Sequence, residues 1–434
     1  MRKLRNIFLF PLGLIWGMIA LTKRWLYRFF RLSQKPSITT WIIGNIHLGG
    51  QGKTPTIISI YEWLILESLK PAEIAILSRG YGRKTKGYRE VSLLDTALTV
   101  GDEPLEIFQT IQKPNKEKGS QGPRQEFSNS LLSPVLVCEN RIHGLSLIQK
   151  HNPTIKLVLL DDGFQHLQLS AHGKIILTKF EDPFTTDLPL PAGNLREFPT
   201  ASKSADVILV THTPSDLKKQ DAEKWIATFN KQMRFWGVNP NSTNWADNIY
   251  FSNYSTSTPI EQSVLTHYSS DGKPLTKGHN IILITGVACA KSIIQGLNEF
   301  NILYHFEYPD HHPFTSIDAE TWLEKHDRSI QQITIESTHL NTAVDNCVFV
   351  CTRKDYMRIM ALFLKISQHP TAIKNLSNTI NKTKMINDIS SVKTISISNL
   401  PFYVCHSEIA FLFNQKTVLL NKILNSLKND SLSK

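Results

Sequence analysis

The sequence predicts an α/β protein whose first and larger unit is built on a parallel sheet and is followed by a second, smaller α/β unit. Three observations lead to this fold class. A short apolar run at residues 41–43 opens into a glycine-rich turn and then into an apolar segment with helical spacing. A buried-strand pattern ends in two acids within residues 156–162, and a further strand, turn and helix pattern begins at residue 281.

A chain of 434 residues is longer than one typical domain. We expect an N-terminal membrane anchor at residues 1–35 and a core that contains the glycine-rich turn at residues 36–238. Residues 239–280 are rich in Asn, Ser and Thr, which is typical of an inter-domain connection, and residues 281–434 are expected to form the C-terminal α/β domain.

Positive charge is concentrated at the start of the chain. The net charge is +11, and residues 1–61 contain nine Lys or Arg and no Asp or Glu. Local basicity of this kind favours a membrane surface as a partner over a nucleic acid, which would need a basic footprint across a whole domain. The five cysteines lack paired metal-ligand spacing, so we expect buried thiols in a reducing compartment rather than disulfides or a zinc site.

The glycine-rich turn has the pattern of a phosphate-binding P-loop. Its candidate nucleotide-binding residues are consecutive: Gly49, Gly50, Gln51, Gly52, Lys53, Thr54 and Pro55. Glycines let backbone N–H groups approach phosphate oxygens, Lys53 adds a charge for the β- and γ-phosphates, and the Thr54 hydroxyl suits Mg²⁺. Pro55 fits the first turn of a helix. The usual motif has a glycine where this chain has His47, and a plain glycine turn with a solvated lysine is the alternative interpretation.

The second strong signal is the segment Lys-Leu-Val-Leu-Leu-Asp-Asp-Gly-Phe-Gln-His at residues 156–166. Apolar residues that run into acids are typical of a buried parallel strand that ends in a carboxylate. Such a carboxylate is the usual partner of a P-loop, because it orients Mg²⁺ or the water around it. Asp161 and Asp162 are therefore the candidate metal-site acids.

Residues 7–21 are apolar and uncharged, and basic residues stand on both sides of them. They fall short of the roughly 20 residues that cross a bilayer comfortably. Residues 23–31 continue with interleaved basic and aromatic side chains, a pattern of helices that lie on membranes. A cleaved signal peptide is the competing interpretation, but no convincing cleavage site leads into a polar start. We favour a retained anchor helix, with spanning and interfacial placement both open.

Other segments are ambiguous from the residues alone. Residues 79–83, Arg-Gly-Tyr-Gly-Arg, form either a ligand-binding turn at a strand end or a simple β-turn. Asp102 is typical of a helix N-cap. A Pro/Gly-rich loop at residues 188–198 carries the pair Arg196-Glu197. The sequence Asp310-His311-His312 is expected to be a solvated loop.

Together these motifs resemble the tetraacyldisaccharide 4'-kinase family of Gram-negative bacteria, the lipid A 4'-kinases. The resemblance covers nearly the whole chain: the anchor, Gly-Gly-x-Gly-Lys-Thr-Pro, Ser-Arg-Gly-Tyr-Gly, Val-Gly-Asp-Glu-Pro, Asp-Asp-Gly-Phe-Gln-His, Leu-Arg-Glu and a late Asp-His. It implies transfer of the γ-phosphoryl group of ATP, with Mg²⁺, to the 4'-hydroxyl of an acylated glucosamine disaccharide 1-phosphate. The implied location is the cytoplasmic face of the inner membrane, and no nucleic-acid partner is expected.

The resemblance also assigns roles to residues. Asp102 matches the family's general base and His311 the histidine that pairs with it, which implies that the two face each other across a cleft. Asp161 and Asp162 match the second acidic motif, so that Asp162 is expected to serve both catalysis and the metal, together with Thr54. Arg196 and Glu197 are expected to approach the nucleotide or the substrate phosphate.

This chain departs from the family pattern in three places. Residues 352–355 read Thr-Arg-Lys-Asp where the family has Thr-Glu-Lys-Asp, and His212 stands where a lysine is expected. The polar stretch at residues 112–130 has the composition of an insertion. These departures leave the core chemistry untouched.

Two other classes of function remain open. A membrane-attached NTPase that works as a regulatory switch would turn over nucleotide without an acylated sugar and would not need Asp102 or His311. A scaffold without catalysis would retain the fold alone, and the intact Lys53, Thr54 and paired aspartates argue against it.

Overall fold

A computed structural model of the chain describes residues 2–112, 133–262, 273–287, 290–310, 312–340, 347–367, 402–405 and 407–432. These residues form two compact units. The first unit comprises Met1–Tyr254 and Ile409–Lys434, and the second comprises Ser255–Glu408. The predicted α/β class is confirmed, because each unit has a mainly parallel sheet with helices between its strands.

The elements of the first unit follow in chain order. They are α1 Arg2–Phe29, β1 Thr39–Asn45, α2 Lys53–Glu67, β2 Ile74–Ser78, β3 Arg89–Glu90, α3 Ala97–Val100, α4 Asp102–Ile111, β4 Val135–Val137, α5 Arg141–His151, β5 Leu157–Asp161, β6 Gly173–Lys179, β7 Val207–Thr211, α6 Lys219–Phe235 and β8 Ile249–Thr256.

The second unit and the end of the chain supply the remaining elements. They are β9 Ile260–Gln262, β10 Asn280–Thr285, α7 Ala290–Gly296, β11 Asn301–Glu307, α8 Ser316–Leu340, β12 Cys347–Thr352, α9 Arg353–Ser367, β13 Phe402–Cys405, β14 Ser407–Phe411 and α10 Gln415–Leu432.

The sheet of the first unit has the strand order β14-β8-β7-β6-β1-β5-β2-β4-β3. Strand β1 lies at its centre and pairs in parallel with β5 and β6, whereas β3 runs antiparallel to β4. All seven residues of β1 are buried, as expected for a parallel strand that is covered by helices on both faces. Strand order reverses around β1, so the carboxyl ends of β1 and β5 flank the crevice where open α/β sheets bind ligands.

Helix α1 turns its two glycines inward and most of its large apolar side chains outward. Leu9, Gly13, Gly17, Ala20 and Arg24 are shielded from solvent at helical spacing. The exposed side chains are mostly large and apolar: Phe8, Phe10, Leu12, Leu14, Ile15, Trp16, Met18, Ile19, Leu21, Trp25, Leu26 and Phe29. In the described part of the chain, none of the helices is both long enough and apolar enough to span a bilayer.

The domain boundaries in the structure differ from the predicted ones. The predicted connection at residues 239–280 contains two strands, β8 and β9, and β8 extends the first sheet. The end of the chain returns to the first unit, because β14 joins its sheet and α10 packs there, with Ser426 accepting a hydrogen bond from the indole of Trp41 at 2.9 Å. No local pattern predicted this return, because the sequence of α10 is that of an ordinary amphipathic helix.

The second unit has a five-stranded sheet in the order β11-β10-β12-β13-β9. Its strands are parallel except β9, which pairs antiparallel with β13. The core on one face is aromatic, with Phe349 stacked on Phe402 and Trp322 fully buried. The strand predicted to begin at residue 281 is confirmed as β10.

Candidate active site

The glycine-rich loop joins β1 to α2 as predicted. Gly49 and Gly52 have φ angles of 93° and 83°, a left-handed backbone that glycine adopts without strain. Gly52 is the N-cap of α2, and Pro55 lies in the first turn of that helix. The first backbone N–H groups of α2 therefore have no helical partner and lie at the loop, which is the arrangement that binds phosphate.

Lys53 extends from the first position of α2 towards the ends of β1 and β5. Its Nζ atom is 3.4 Å from Oδ1 of Asn45 and 3.7 Å from Oδ2 of Asp162. The side chain is only 9% exposed, so this ammonium group is largely removed from water. A desolvated cation attracts phosphate more strongly than a solvated one does.

Asp161 ends β5 and is almost fully buried. Its Oδ2 atom accepts a hydrogen bond of 2.9 Å from Ser78 at the end of β2, while its Oδ1 atom is buried without a hydrogen-bond partner in the described structure. Burial raises the pKa of Asp161 well above its usual range, and the charge of Glu103 at the start of α4 raises it further. A carboxylate oxygen in this state favours a cation as its ligand.

Asp162 follows in a left-handed backbone conformation, with φ of 48°. The guanidinium of Arg196 donates to both of its carboxylate oxygens at 2.9 Å, and Lys53 lies on the same carboxylate. Burial alone would raise the pKa of Asp162, but the charges of Lys53 and Arg196 outweigh burial and lower it. The surroundings of the two adjacent acids therefore have opposite effects: they destabilise the ionised form of Asp161 and stabilise the ionised form of Asp162.

The Thr54 hydroxyl and the two acids suit a magnesium ion bound to phosphates. Mg²⁺ needs only one or two protein carboxylates beside phosphate oxygens and water. The buried, unpartnered Oδ1 atom of Asp161 fits such an ion. No cluster of three or more His, Cys, Asp or Glu side chains that could hold a metal by itself occurs in the described ranges.

His47 stands where the usual motif has a glycine, and its side chain connects the loop to Asp187, which is distant in the sequence. One ring nitrogen is 3.0 Å from Oδ2 of Asp187 and the other is 2.8 Å from the carbonyl oxygen of Leu48. Burial lowers the pKa of His47, but these two acceptors and the charge of Asp182 raise it more, so the net pKa lies above the usual value.

Sequence reasoning missed Tyr254, which lies near the loop beside His212. The Tyr254 hydroxyl donates to the carbonyl oxygen of Gly52 at 3.1 Å, and its ring lies 4.5 Å from that of His212, measured between centroids. Tyr254 lies in β8, within the segment interpreted as a connection, so no signal pointed to it. His212 follows β7, and burial lowers its pKa to about 4.

The predicted general base lies at the edge of this site. Asp102 is the first residue of α4. The preceding Gly101 packs so closely on the 79–83 turn that an added Cβ would lie 2.9 Å from the carbonyl oxygen of Tyr81. This turn directly follows Ser78, which bonds Asp161, so the start of α4 lies near the paired acids. His311, the predicted partner of Asp102, lies outside the described residues, as does most of the predicted insertion at residues 112–130.

Glu197 has a different environment from the one expected for a nucleotide contact. Both of its carboxylate oxygens accept hydrogen bonds of 2.9 Å from Arg24 of α1. Glu197 is buried, so this ion pair holds α1 against the loop at residues 188–198. The neighbouring Arg196, by contrast, bonds the carboxylate of Asp162.

A cationic cluster of Arg141, Lys23 and Arg79 acts electrostatically on His166, which ends the acidic motif. Its Nε2 atom is buried and has no hydrogen-bond partner in the described structure. Burial lowers the pKa of His166, and the positive charges of Arg141, Lys23 and Arg79 lower it further. Arg141 also donates to the carbonyl oxygen of Asp162 at 3.5 Å. This cationic cluster is therefore adjacent to the paired acids and suits an anionic group.

Comparisons with known proteins match this chain to one family. The family model of the tetraacyldisaccharide-1-phosphate 4'-kinases, LpxK, matches residues 5–116 and 127–391. The tetraacyldisaccharide 4'-kinase of Cytophaga hutchinsonii is 28% identical over 365 residues, which cover 83% of this chain and 88% of that protein. The one from Porphyromonas gingivalis W83 is 26% identical over 433 residues, 98% of each chain.

A solved structure has the same fold. It is the crystal structure of the "apo" form of LpxK from Aquifex aeolicus in complex with ATP, with a TM-score of 0.57 and 17% sequence identity. The match covers 97% of this chain and 99% of that one. The arrangement of strands and helices is therefore shared over almost the full length of both chains.

Proposed function

This chain belongs to the tetraacyldisaccharide-1-phosphate 4'-kinase family, and we propose that it transfers the γ-phosphoryl group of ATP to the 4'-hydroxyl of a tetraacylated glucosamine disaccharide 1-phosphate. The product is lipid IVA, an intermediate of lipid A biosynthesis. One observation carries the proposal: Nζ of Lys53 lies 3.7 Å from the Asp162 carboxylate at the end of the glycine-rich loop. Phosphoryl transfer depends on cations and acids placed together in this way.

The nucleotide phosphates bind at the loop formed by residues 49–54. Backbone N–H groups at the start of α2 and the Lys53 ammonium neutralise the β- and γ-phosphate oxygens. The relative with a solved ATP complex, LpxK of Aquifex aeolicus, supports ATP as the phosphoryl donor. Asp162 holds Lys53 and Arg196 beside the γ-phosphate position, so both cations are already oriented before nucleotide arrives.

Thr54, Asp161 and Asp162 would hold the magnesium ion. Bound Mg²⁺ supplies positive charge that offsets the charge on the transferring phosphoryl group. The protein itself shields Asp161 from water and orients its carboxylate through Ser78. The Ser78 hydroxyl bonds one carboxylate oxygen and leaves the other available.

Asp102 acts as the base for the acceptor hydroxyl. The 4'-oxygen forms a bond to the γ-phosphorus while the bond from that phosphorus to the bridging oxygen of ADP breaks, and the hydroxyl proton passes to Asp102. Positioning contributes more to phosphoryl transfer than proton removal does, so loss of Asp102 slows the reaction rather than abolishing it.

The cationic cluster around His166 receives the phosphate-bearing headgroup of the lipid. Lys23 belongs to α1, and Arg79 and Arg141 belong to the core, so the cluster joins the helix to the site. A sugar phosphate needs both positive charge and a hydrogen-bonding group, and the partnerless ring nitrogen of His166 supplies the second.

Helix α1 lies on the cytoplasmic surface of the inner membrane. Its outward apolar side chains exceed what a water-exposed helix ordinarily shows, and large exposed patches of this kind mark membrane contacts. The Lys and Arg residues of α1 would attract anionic lipids, each contributing about 1 kcal/mol near the surface. The acyl chains of the substrate stay in the bilayer while its headgroup reaches the site.

The test is transfer of radiolabelled phosphate from γ-labelled ATP to the disaccharide 1-phosphate lipid in detergent micelles. We expect wild type to label the lipid, and Asp102→Ala and His311→Ala to label it more slowly. ATP hydrolysis by wild type without any labelled lipid would overturn the kinase proposal and favour a regulatory NTPase.

A further inference from the structure

The loop at residues 188–198 connects α1 to the phosphate-binding loop through its backbone. Arg196 donates its backbone N–H to the carbonyl oxygen of Ile46 at 2.8 Å, and Leu48 donates to the carbonyl oxygen of Asn194 at 2.7 Å. These bonds flank an antiparallel bridge between His47 and Leu195. Residues 194–196 are therefore paired with the first residues of the glycine-rich turn.

The loop at residues 188–198 also makes hydrogen bonds to α1. The Trp16 indole donates to the carbonyl oxygen of Arg196 at 3.0 Å. Arg24 makes a bidentate pair with Glu197, donates to Ser204 at 3.1 Å, and lies 5.0 Å above the ring of Phe164. Bidentate pairs of this kind fix geometry as well as charge, and this one is mostly shielded from water, with side-chain exposures of 17% and 8%.

Two glycines allow this close approach of α1. A Cβ at Gly13 would lie 2.8 Å from the carbonyl oxygen of Pro189, and one at Gly17 would lie 2.4 Å from the ring of Phe198. The inner face of α1 is thus fitted to the 188–198 loop, while the outer face is apolar and exposed. A bilayer that covers the outer face would favour the docked helix, and with it the contacts of the inner face.

We propose that Trp16 and Arg24 are positioning residues which couple the seating of α1 on a lipid surface to the geometry of Arg196 and of the phosphate-binding loop. Neither residue touches the reacting groups. They act through Arg196. Trp16 bonds the carbonyl oxygen of Arg196, Arg24 pairs with the neighbouring Glu197, and the guanidinium of Arg196 bonds Asp162. The inference rests on the proposed function for its role in catalysis, and its coupling can be measured separately.

Coupling between lipid surface and nucleotide is reciprocal. If vesicles favour the docked helix, they tighten nucleotide binding, and nucleotide tightens vesicle binding by the same factor. For wild type we expect anionic phospholipid vesicles without acylated sugar to lower the dissociation constant for Mg-ATP by about 3- to 10-fold, within the usual range of such couplings.

Arg24→Gln should remove this coupling, because glutamine cannot make the bidentate pair. The matched change Arg28→Gln removes the same charge from the same helix at an exposed position, so it reports the effect of charge alone on vesicle binding. In the kinase assay at saturating lipid, Arg24→Gln should lower kcat by about 10- to 100-fold relative to Arg28→Gln, as expected for misplaced catalytic groups, with a similar KM for lipid. Glu197→Gln combined with Arg24→Gln should add little to either single change.

Equal coupling in Arg24→Gln and Arg28→Gln, or fully additive effects of Arg24→Gln and Glu197→Gln, would overturn the inference even if wild type phosphorylates the lipid. Absence of lipid phosphorylation together with intact vesicle coupling would overturn the proposed function and leave this coupling standing. Trp16→Phe keeps the apolar ring and removes only the N–H donor, so partial loss of coupling there separates positioning from failure to fold.

Discussion

A single guanidinium nitrogen of Arg196 lies 2.9 Å from each carboxylate oxygen of Asp162. The same carboxylate lies within 3.7 Å of Nζ of Lys53, so one anion holds two cations at the end of the phosphate-binding loop. The neighbouring Asp161 is buried, accepts a hydrogen bond from Ser78, and has one carboxylate oxygen without a hydrogen-bond partner in the described structure. This contrast between adjacent acids leads to opposite expectations for their substitution.

Asp162→Asn should lower both turnover and stability. The change leaves Lys53 and Arg196 without their shared anion, and loss of one preorganised electrostatic group costs about 10²- to 10³-fold in kcat. The folded protein stabilises the ionised form of this acid, so thermal unfolding at pH 8 should begin at a lower temperature than in wild type. Turnover within threefold of wild type would contradict the assignment.

Asp161→Asn should have the reverse effect on stability. Burial raises the pKa of Asp161, so its ionisation opposes folding as the pH rises above 3.8, and the amide removes that penalty. We expect a higher melting temperature without metal at pH 8 and a higher Mg²⁺ concentration for half-maximal activity. Melting curves with and without Mg²⁺ check both. An unchanged magnesium requirement in Asp161→Asn would show that Asp161 does not bind the metal.

Gly52→Ala should be far more damaging than the same change at Gly237. Both glycines have positive φ angles, but a Cβ at Gly52 would lie 1.5 Å from the Tyr254 hydroxyl, whereas nothing lies within 4 Å at Gly237. Backbone strain alone should cost Gly237→Ala about 1 kcal/mol. Gly52→Ala should lower the free energy of unfolding by more than this and should also abolish ATP binding, measured by calorimetry. Equal melting temperatures for the two variants would show that Tyr254 does not restrict the loop.

His212 should make the protein sensitive to acid. Its pKa is lowered to about 4 from 6.5, so the unfolded chain binds the proton first as the pH falls. The stability that neutral His212 contributes is present above pH 6.5 and is lost between 6.5 and about 4. The loss amounts to about 3 kcal/mol at most. In His212→Gln, the melting temperature should depend less on pH over this range. A pH dependence identical to that of wild type would show that other groups cause the acid sensitivity.

Local patterns in the sequence predicted the central parts of this site. The glycine turn, Lys53 and the paired aspartates each stand at the end of an apolar run, and the parallel sheet brings those ends together. The apolar segment with helical spacing after the glycine-rich turn is confirmed as α2, and the buried-strand pattern that ends in the two acids is confirmed as β5.

Contacts between distant parts of the chain could not be predicted in this way. Tyr254 is 202 residues from Gly52, and Arg24 is 173 residues from Glu197. Neither pair has a local pattern, because the partners meet only after the sheet has formed. The family resemblance implied that Arg196 and Glu197 both approach the nucleotide or the substrate phosphate, but in the structure Arg196 bonds Asp162 whereas Glu197 bonds Arg24 of α1.

The most direct measurement is the mass and phosphate content of the lipid after incubation with wild type and Mg-ATP. We expect a tetraacylated disaccharide 1-phosphate to gain one phosphate group, located at the 4'-position, and Lys53→Met to reduce this gain to background. Consumption of ATP with an unchanged lipid, or a phosphate found elsewhere on the sugar, would contradict this expectation.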